Sequence, residues 1–362
     1  MGLLRIALAL AVLLSHLPVA TFHFIGGGLA VQAFFIVSGF YMALVLDGKY
    51  DNRGLFYSNR LLRLFPTYIA MMAIAAIVLF GFGITATFSR DGMIQAYQNP
   101  ATAIFFIIEN AILVGQDLLF WFTLDPAGNL HFEPSGALPN ETTTLAWQPL
   151  LVPQAWSLSL ELMFYALAPF LARLNWRWLA ALAGASIALR LAGHWLPVDY
   201  GLWQGRFFPT ALFLFLLGML AHRLLPLAAR LPKALGWIAN AALLAAVVCL
   251  PMTQLDGEAQ RWIIYAAIAL AAPFIFNAFK NFTLDRWIGD LSYPMYLCHL
   301  VVVAIVLTWN PPQAAWITIG LAFALSIALY LLIDRPVDRW RQARAAKAAA
   351  RTETPDAAPA TA

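Results

Sequence analysis

Eleven apolar runs, 16 to 22 residues long, follow one another down this chain with polar junctions between them. They cover residues 3–18, 28–46, 61–82, 101–122, 155–174, 177–195, 207–222, 234–250, 261–279, 292–308 and 314–333. A helix rises about 1.5 Å per residue, so about 20 mostly apolar residues cross the hydrocarbon of a bilayer. Composition agrees: of 362 residues 62% are hydrophobic and 11% charged, against about 25% charged in a soluble domain. The runs leave no stretch long enough for a soluble domain that works alone. The expected fold class is an all-α integral membrane bundle.

Basic residues at the membrane edges set the topology. Arg335, Arg339, Arg341, Arg344, Lys347 and Arg351 follow the last run, which predicts a cytoplasmic C-terminus. The junctions at 280–286, 223–233 and 173–177 are basic and fall on the same side, whereas 309–313, 251–258 and 123–154 carry no Lys or Arg. Stepping forward from Arg5 puts 47–60 inside, with Lys49, Arg53 and Arg60, and 82–100 outside, where Arg90 is an exception. Both ends of 101–122 are then outside. With Glu109, Asn110, Gln116 and Asp117 in it, that run reads as a re-entrant or interfacial helix. The expectation is about ten crossings with both termini cytoplasmic, a membrane domain over 1–340 and a disordered tail over 341–362. The net charge of +4 is spread along these edges, which argues for topology and against nucleic-acid binding. Cys249 and Cys298 both lie in apolar runs and offer neither a disulfide framework nor a metal site. Residues 1–20 also have the outline of a secretory signal, but Pro18 at the −3 position and His16 in the core argue against cleavage.

An ionisable group inside a bilayer is costly, so each is a functional candidate. Arg5 and His16 are eleven residues apart, three helical turns plus about 20°, on one face and about 16 Å apart along the axis. Arg60 and Arg63 share a face at a cytoplasmic entrance, where two guanidiniums can grip phosphate. Ser157, Glu161 and Tyr165 recur every four residues as a polar stripe. Glu161 needs a partner on another helix, His16 or an Arg being the candidates. Tyr296 and His299 are three apart in Ser292-Tyr293-Pro294-Met295-Tyr296-Leu297-Cys298-His299. Asp334-Arg335-Pro336 closes the last run and is expected to end its helix. Topological anchoring for the arginines and a satisfied core histidine for His299 are the plainer alternatives.

Together these residues resemble the membrane-bound acyltransferase-3 family, O-acyltransferases that decorate bacterial surface polysaccharides and some small molecules. The resemblance rests on Arg5 and His16; on Phe34-Phe35 with Ser38-Gly39-Phe40; on Arg60, Arg63 and Pro66; on Trp156 to Glu161; and on Ser292 to His299. Leu162 stands where the family often has a second Glu, and Asp334 where it often has Glu. No appended hydrolase-like domain is recognised.

The resemblance implies transfer of an acyl group, most often acetyl, from cytoplasmic acyl-CoA to a hydroxyl, in the inner (plasma) membrane of a bacterium. It implies no permanently bound cofactor and no metal. His16 would be the general base, Glu161 its orienting partner, and Arg5 a clamp on donor or developing anion. Arg60 and Arg63 would hold acyl-CoA, with Ser157, Tyr165, Tyr296 and His299 in support. Trp121, His131, Glu133, Asn140 and Trp147 in the outward loops suit a glycan or lipid-linked sugar acceptor, and equally an interfacial belt. The competing reading is a proton-coupled secondary transporter using His16 and Glu161; a non-catalytic membrane scaffold is the third.

Overall fold

A computed structural model describes residues 1–18, 24–47, 53–85, 89–136 and 143–353, with side chains to residue 347. Lys49, His23, Asn140, the end of the possible signal (Val19, Ala20) and residues 354–362 lie outside the described residues. The helices are α1 (Gly2–Ser15), α2 (Gly27–Leu46), α3 (Arg53–Ala76), α4 (Arg90–Gln98), α5 (Pro100–Ile112), α6 (Trp156–Leu171), α7 (Trp176–Ala192) and α8 (Tyr200–Arg206). After them come α9 (Phe208–His222), α10 (Leu225–Arg230), α11 (Ala234–Cys249), α12 (Gly257–Phe279), α13 (Thr283–Asp290), α14 (Ser292–Trp309), α15 (Ala314–Leu329) and α16 (Arg335–Glu353). Among the described residues, seven helices are long and apolar enough to cross a membrane. The chain is a mostly helical, multi-pass membrane protein.

Burial sorts the long helices into centre and rim. In α2 and in Thr283–Trp309, 67% and 72% of the most apolar stretch is buried, against 22% in Ala234–Met252 and in Ala314–Lys347. The first pair forms the centre; the second pair shows lipid most of its surface. Helix α1 packs against α2, α13 and α14, with Leu4, Leu8 and Leu13 fully buried. Helices α2 and α9 approach each other closely. A Cβ on Gly39 would overlap the Phe215 carbonyl, and one on Gly218 would overlap the Ile36 carbonyl. Lipid tails are as apolar as leucine, so small residues that bring backbones together hold such helices. Phe215 then stacks on Phe35 and Phe164, at 4.7 and 4.3 Å between ring centroids, tying α2, α9 and α6 into one core.

Two expectations are corrected. The chain is not wholly α: β1 (Phe122–Leu124), β2 (Leu130–Phe132) and β3 (Thr144–Leu145) form an antiparallel sheet in the order β2-β1-β3. This long junction alternates apolar and polar residues, and Leu124 with Ala146 and Leu150 buries against Phe106 of α5. Second, the helix does not end at Asp334-Arg335-Pro336. It widens into a π-turn over Tyr330–Asp334 and continues as α16. The shifted hydrogen-bond register accommodates a residue without an amide proton. Residues 341–353 continue α16 as helix. Its Ala, Arg and Lys are strong helix formers.

Helix α5 has 13 residues, about 20 Å, too short for the roughly 30 Å hydrocarbon core. Ile104, Ile107, Ile108 and Ile112 form its exposed face, while Phe106, Glu109 and Asn110 turn inward. It ends where Leu113 takes a left-handed conformation (φ 67°). Below it, Asp125 secures the hairpin turn, accepting from the Asn129 amide (2.8 Å), Asn129 Nδ2 (2.9 Å) and His131 Nε2 (3.0 Å).

Two predictions follow from this packing. Gly39→Val should lower the melting temperature in detergent, at a cost of about 1–3 kcal/mol, with Gly218→Val doing the same. A scanning fluorescence melt measures both. Bonds from His131 and Asn129 hold the Asp125 carboxyl well below the usual carboxylate range. A depressed folded-state pKa stabilises fully above the ordinary value of 3.8 and is lost as pH falls below it. Hydrogen exchange at Asn129 should therefore stay protected from pH 7 to the ordinary carboxylate value and open below it. In Asp125→Ala it should be open throughout.

Candidate active site

A cavity of about 560 Å³ opens among α1, α2, α3, α6, α12, α13 and α14. Seven of the nine expected site residues line it: Arg5, Arg60, Arg63, Ser157, Glu161, Tyr165 and Tyr296. Arg60 and Arg63 share one face of α3 as their spacing requires. Arg60 is 8% exposed, and its guanidinium lies 5.8 and 5.9 Å from the rings of Phe56 and Tyr165. Lys280, Arg286 and Arg341 extend the basic lining at one end. Arg341 reaches back to the Asn59 carbonyl (3.1 Å) and pairs with Asp338.

Glu161 does not meet His16 or form an ion pair with an arginine among the described residues. Its Oε1 accepts from Ser38 Oγ of α2 (2.8 Å) and from Tyr165 one turn along α6. The expected partner is replaced because α2 lies directly against α6, whereas Arg5 and His16 stand three turns apart on α1. Two hydroxyl donors thus satisfy Glu161 in place of an ion pair.

The tyrosine stripe is also fixed. Tyr296 has one hydroxyl proton and a carbonyl can only accept, so Tyr296 donates to the Gln154 carbonyl (2.6 Å). Ser157 must then donate to the Tyr296 oxygen, 2.7 Å away. Behind this wall, outside the cavity lining, are the two histidines. His299 is fully buried, and its Nδ1 lies 2.6 Å from the Tyr296 carbonyl. His16, exposed at the end of α1, has Nδ1 2.9 Å from the Val12 carbonyl. A carbonyl at Nδ1 requires the proton there, so each ring presents a bare Nε2 in its neutral form. The ring centroids are 5.0 Å apart, and Nε2 of His299 is buried with no hydrogen-bond partner.

Several contributors carried no readable signal. Ser159 donates to Asp117 (2.6 Å) and accepts from the Gly115 amide (2.9 Å), pinning the turn after α5 to α6. Trp156 serves a cation: the Arg206 guanidinium sits 3.4 Å from the Phe120 ring centroid and 4.3 Å from that of Trp156. Arg190 is wholly buried, donating to the carbonyl (2.5 Å) and side-chain oxygen (2.8 Å) of Gln204. Asp285 accepts from the Gly2 and Leu3 amides (2.8 and 2.9 Å), anchoring the first turn of α1. No group of three or more His, Cys, Asp or Glu that could hold a metal occurs among the described residues.

Comparison with known proteins decides the class: the acyltransferase domain family matches residues 1–335. The chain belongs to the acyltransferase-3 family. It is an acyltransferase. It is similar to the exopolysaccharide production protein ExoZ of Rhizobium meliloti (strain 1021), 26% identical over 89% of this chain and 93% of that one. Nodulation protein 10 of Rhizobium leguminosarum bv. viciae is 25% identical over 88% and 84%. The peptidoglycan O-acetyltransferase OatA of Listeria monocytogenes is 24% identical over 92% of this chain and 54% of its own length. No solved structure matches the chain.

The Ser159 contacts yield a test of this acyltransferase's architecture. Ser159→Ala leaves the Gly115 amide and Asp117 without their partner, and should cost about 1–3 kcal/mol. A thermal melt against wild type measures it, with Ser159→Thr expected to recover part of the loss.

Proposed function

We propose that this acyltransferase moves an acyl group, acetyl in the first instance, from cytoplasmic acyl-CoA to a hydroxyl of a glycan or lipid-linked sugar. It does so in the plasma membrane of a bacterium, with about ten crossings, α5 re-entrant, and both termini cytoplasmic. One observation carries the reading. Arg5, Arg60 and Arg63 share a cavity whose lining acids are Glu161, bonded by two hydroxyls, Asp285 and Asp290. With Lys280, Arg286 and Arg341 the lining carries six Lys or Arg side chains against three acids, an excess of positive charge that suits a polyanion. Lys280, Arg286 and Arg341 extend it on the side whose junctions are basic, which suits a donor arriving from the cytoplasm. The names of ExoZ and OatA support a polysaccharide-like acceptor.

In this reading the CoA phosphates rest on Arg60 and Arg63, and the acyl-bearing arm runs past Tyr296 towards His16. His16 Nε2 is the base, because the Val12 carbonyl keeps the ring's proton on Nδ1. It removes the acceptor's hydroxyl proton as that oxygen attacks the thioester carbonyl. The carbon–sulfur bond breaks, and the proton passes from His16 to the leaving thiolate, returning the ring to neutral. His299 supports His16 from behind; Glu161 and Arg5 set the field at the donor end of the cavity.

Acyl transfer from radiolabelled acetyl-CoA into membrane glycan, at matched expression, tests this. His16→Ala should lower the rate about 10²–10⁴-fold. Arg60→Lys with Arg63→Lys should raise KM for the donor more than it lowers kcat, because Lys keeps charge but loses the guanidinium fork. Label that persists in His16→Ala removes that residue as base. Wild type that transfers no label from any acyl-CoA, yet moves substrate with protons, would replace the reading with transport.

A further inference from the structure

A second cavity, of about 280 Å³, lies on the other side of α2 and shares no lining residue with the first. Three arginines line it: Arg53 from the start of α3, Arg173 after α6, and Arg223 after α9. None is within 4.0 Å of a carboxylate among the described residues. Asp47, the one acid among the described lining residues, lies 3.9 Å from His222. The cavity thus carries an excess of guanidinium charge, drawn from three separate elements.

Its surroundings say what faces it. The Arg53 guanidinium sits 5.0 Å from the centroid of the Phe170 ring, which is 52% exposed, and Leu167 one turn earlier is 40% exposed. Neither Phe170 nor Leu167 lines the cavity; beside it they give α6 an apolar, outward-facing surface, as a lipid-contacting surface is. Trp176 and Trp178, 59% and 62% exposed, follow Arg173 directly. Exposed tryptophans mark the headgroup level of a bilayer. Arg223 spends one nitrogen on the Leu174 carbonyl (3.3 Å), which sets the guanidinium at the cavity and leaves its other donors free. The volume is below that of typical drug-sized sites of about 300–1,000 Å³, so it suits a headgroup rather than a whole nucleotide cofactor.

We propose that Arg53, Arg173 and Arg223 form a binding site for the phosphate of an anionic membrane phospholipid, separate from the catalytic cavity. Guanidiniums match phosphate oxygens in forked pairs, and basic pockets between membrane helices take anionic headgroups in this way. Site and ligand are independent of the acyl-transfer reading. The lipid, and not a soluble phosphate, is the occupant because the cavity borders the exposed apolar face of α6 at headgroup depth. An anionic lipid there would join α3, α6 and α9 where, among the described residues, no carboxylate lies within 4.0 Å of these arginines.

The test uses the full chain in detergent, with thermal melts against three probes: dihexanoyl phosphatidylglycerol, dihexanoyl phosphatidylcholine and inorganic phosphate. Phosphatidylglycerol should raise the melting temperature of wild type and the other two should not. Arg173→Gln with Arg223→Gln should weaken the apparent affinity at least about tenfold. Arg173→Lys with Arg223→Lys, which keeps the topology-setting charge, should weaken it by less. If the Gln pair does not fold, the Lys pair and Arg53→Gln carry the comparison. Equal shifts with phosphatidylglycerol and phosphatidylcholine overturn the proposal. So does a shift that inorganic phosphate reproduces, or one that no arginine variant changes.

Discussion

Helices α2 and α9 touch backbone to backbone at Gly39 and Gly218, and much else is referred to that contact. Hydrocarbon supplies no hydrophobic drive between helices, so close van der Waals approach must supply the adhesion. Gly39 follows Ser38, and the approach that Gly39 permits fixes where Ser38 points: at Glu161. Two residues earlier, Ile36 offers its carbonyl to the space that a Gly218 side chain would fill. The Phe35, Phe164 and Phe215 stack then brings α6 to the same level. The carboxylate in the cavity is placed by helix packing, not by an ion pair.

Charge within a low-dielectric bundle has few stable solutions, and this chain uses three of them. Arg5, Arg60, Arg63 and Glu161 share an open cavity where water and ligand can solvate them. Arg190 is enclosed and pays its desolvation through Gln204 and the faces of Phe213 and Tyr265. Arg206 lies against two aromatic faces, with Asp117 held by Ser159 rather than by an arginine. Only the first arrangement leaves cations with room for a substrate in front of them.

What the sequence made legible followed from periodicity. Spacings of three and four residues put Arg60 with Arg63, and Ser157 with Glu161 and Tyr165, on common faces, and these faces do meet in one cavity. Partners on other helices were not legible, because no local spacing encodes them. His16 was expected beside Glu161 and stands beside His299 instead; Glu161 found Ser38, which no local spacing ties to it. Asp334 with Pro336 reads locally as a helix end, yet a π-turn carries the helix through. The sheet over 122–145 was hidden in a junction read for its missing positive charge and its aromatic and polar side chains, and Ser159 was overshadowed by the stripe on the neighbouring face.

The π-turn at Tyr330–Asp334 acts as a rotary offset in an otherwise continuous rod. One residue turns a helix about 100°, so a single extra residue absorbed in that turn changes which side chains beyond it face inward. Arg341, about two turns further on, lines the cavity and bonds to the Asn59 carbonyl. The angular position of that arginine is therefore set by chain length in the π-turn as much as by residue type. A relative with an identical set of residues but one fewer in this turn would carry the same arginine on a different side of the rod.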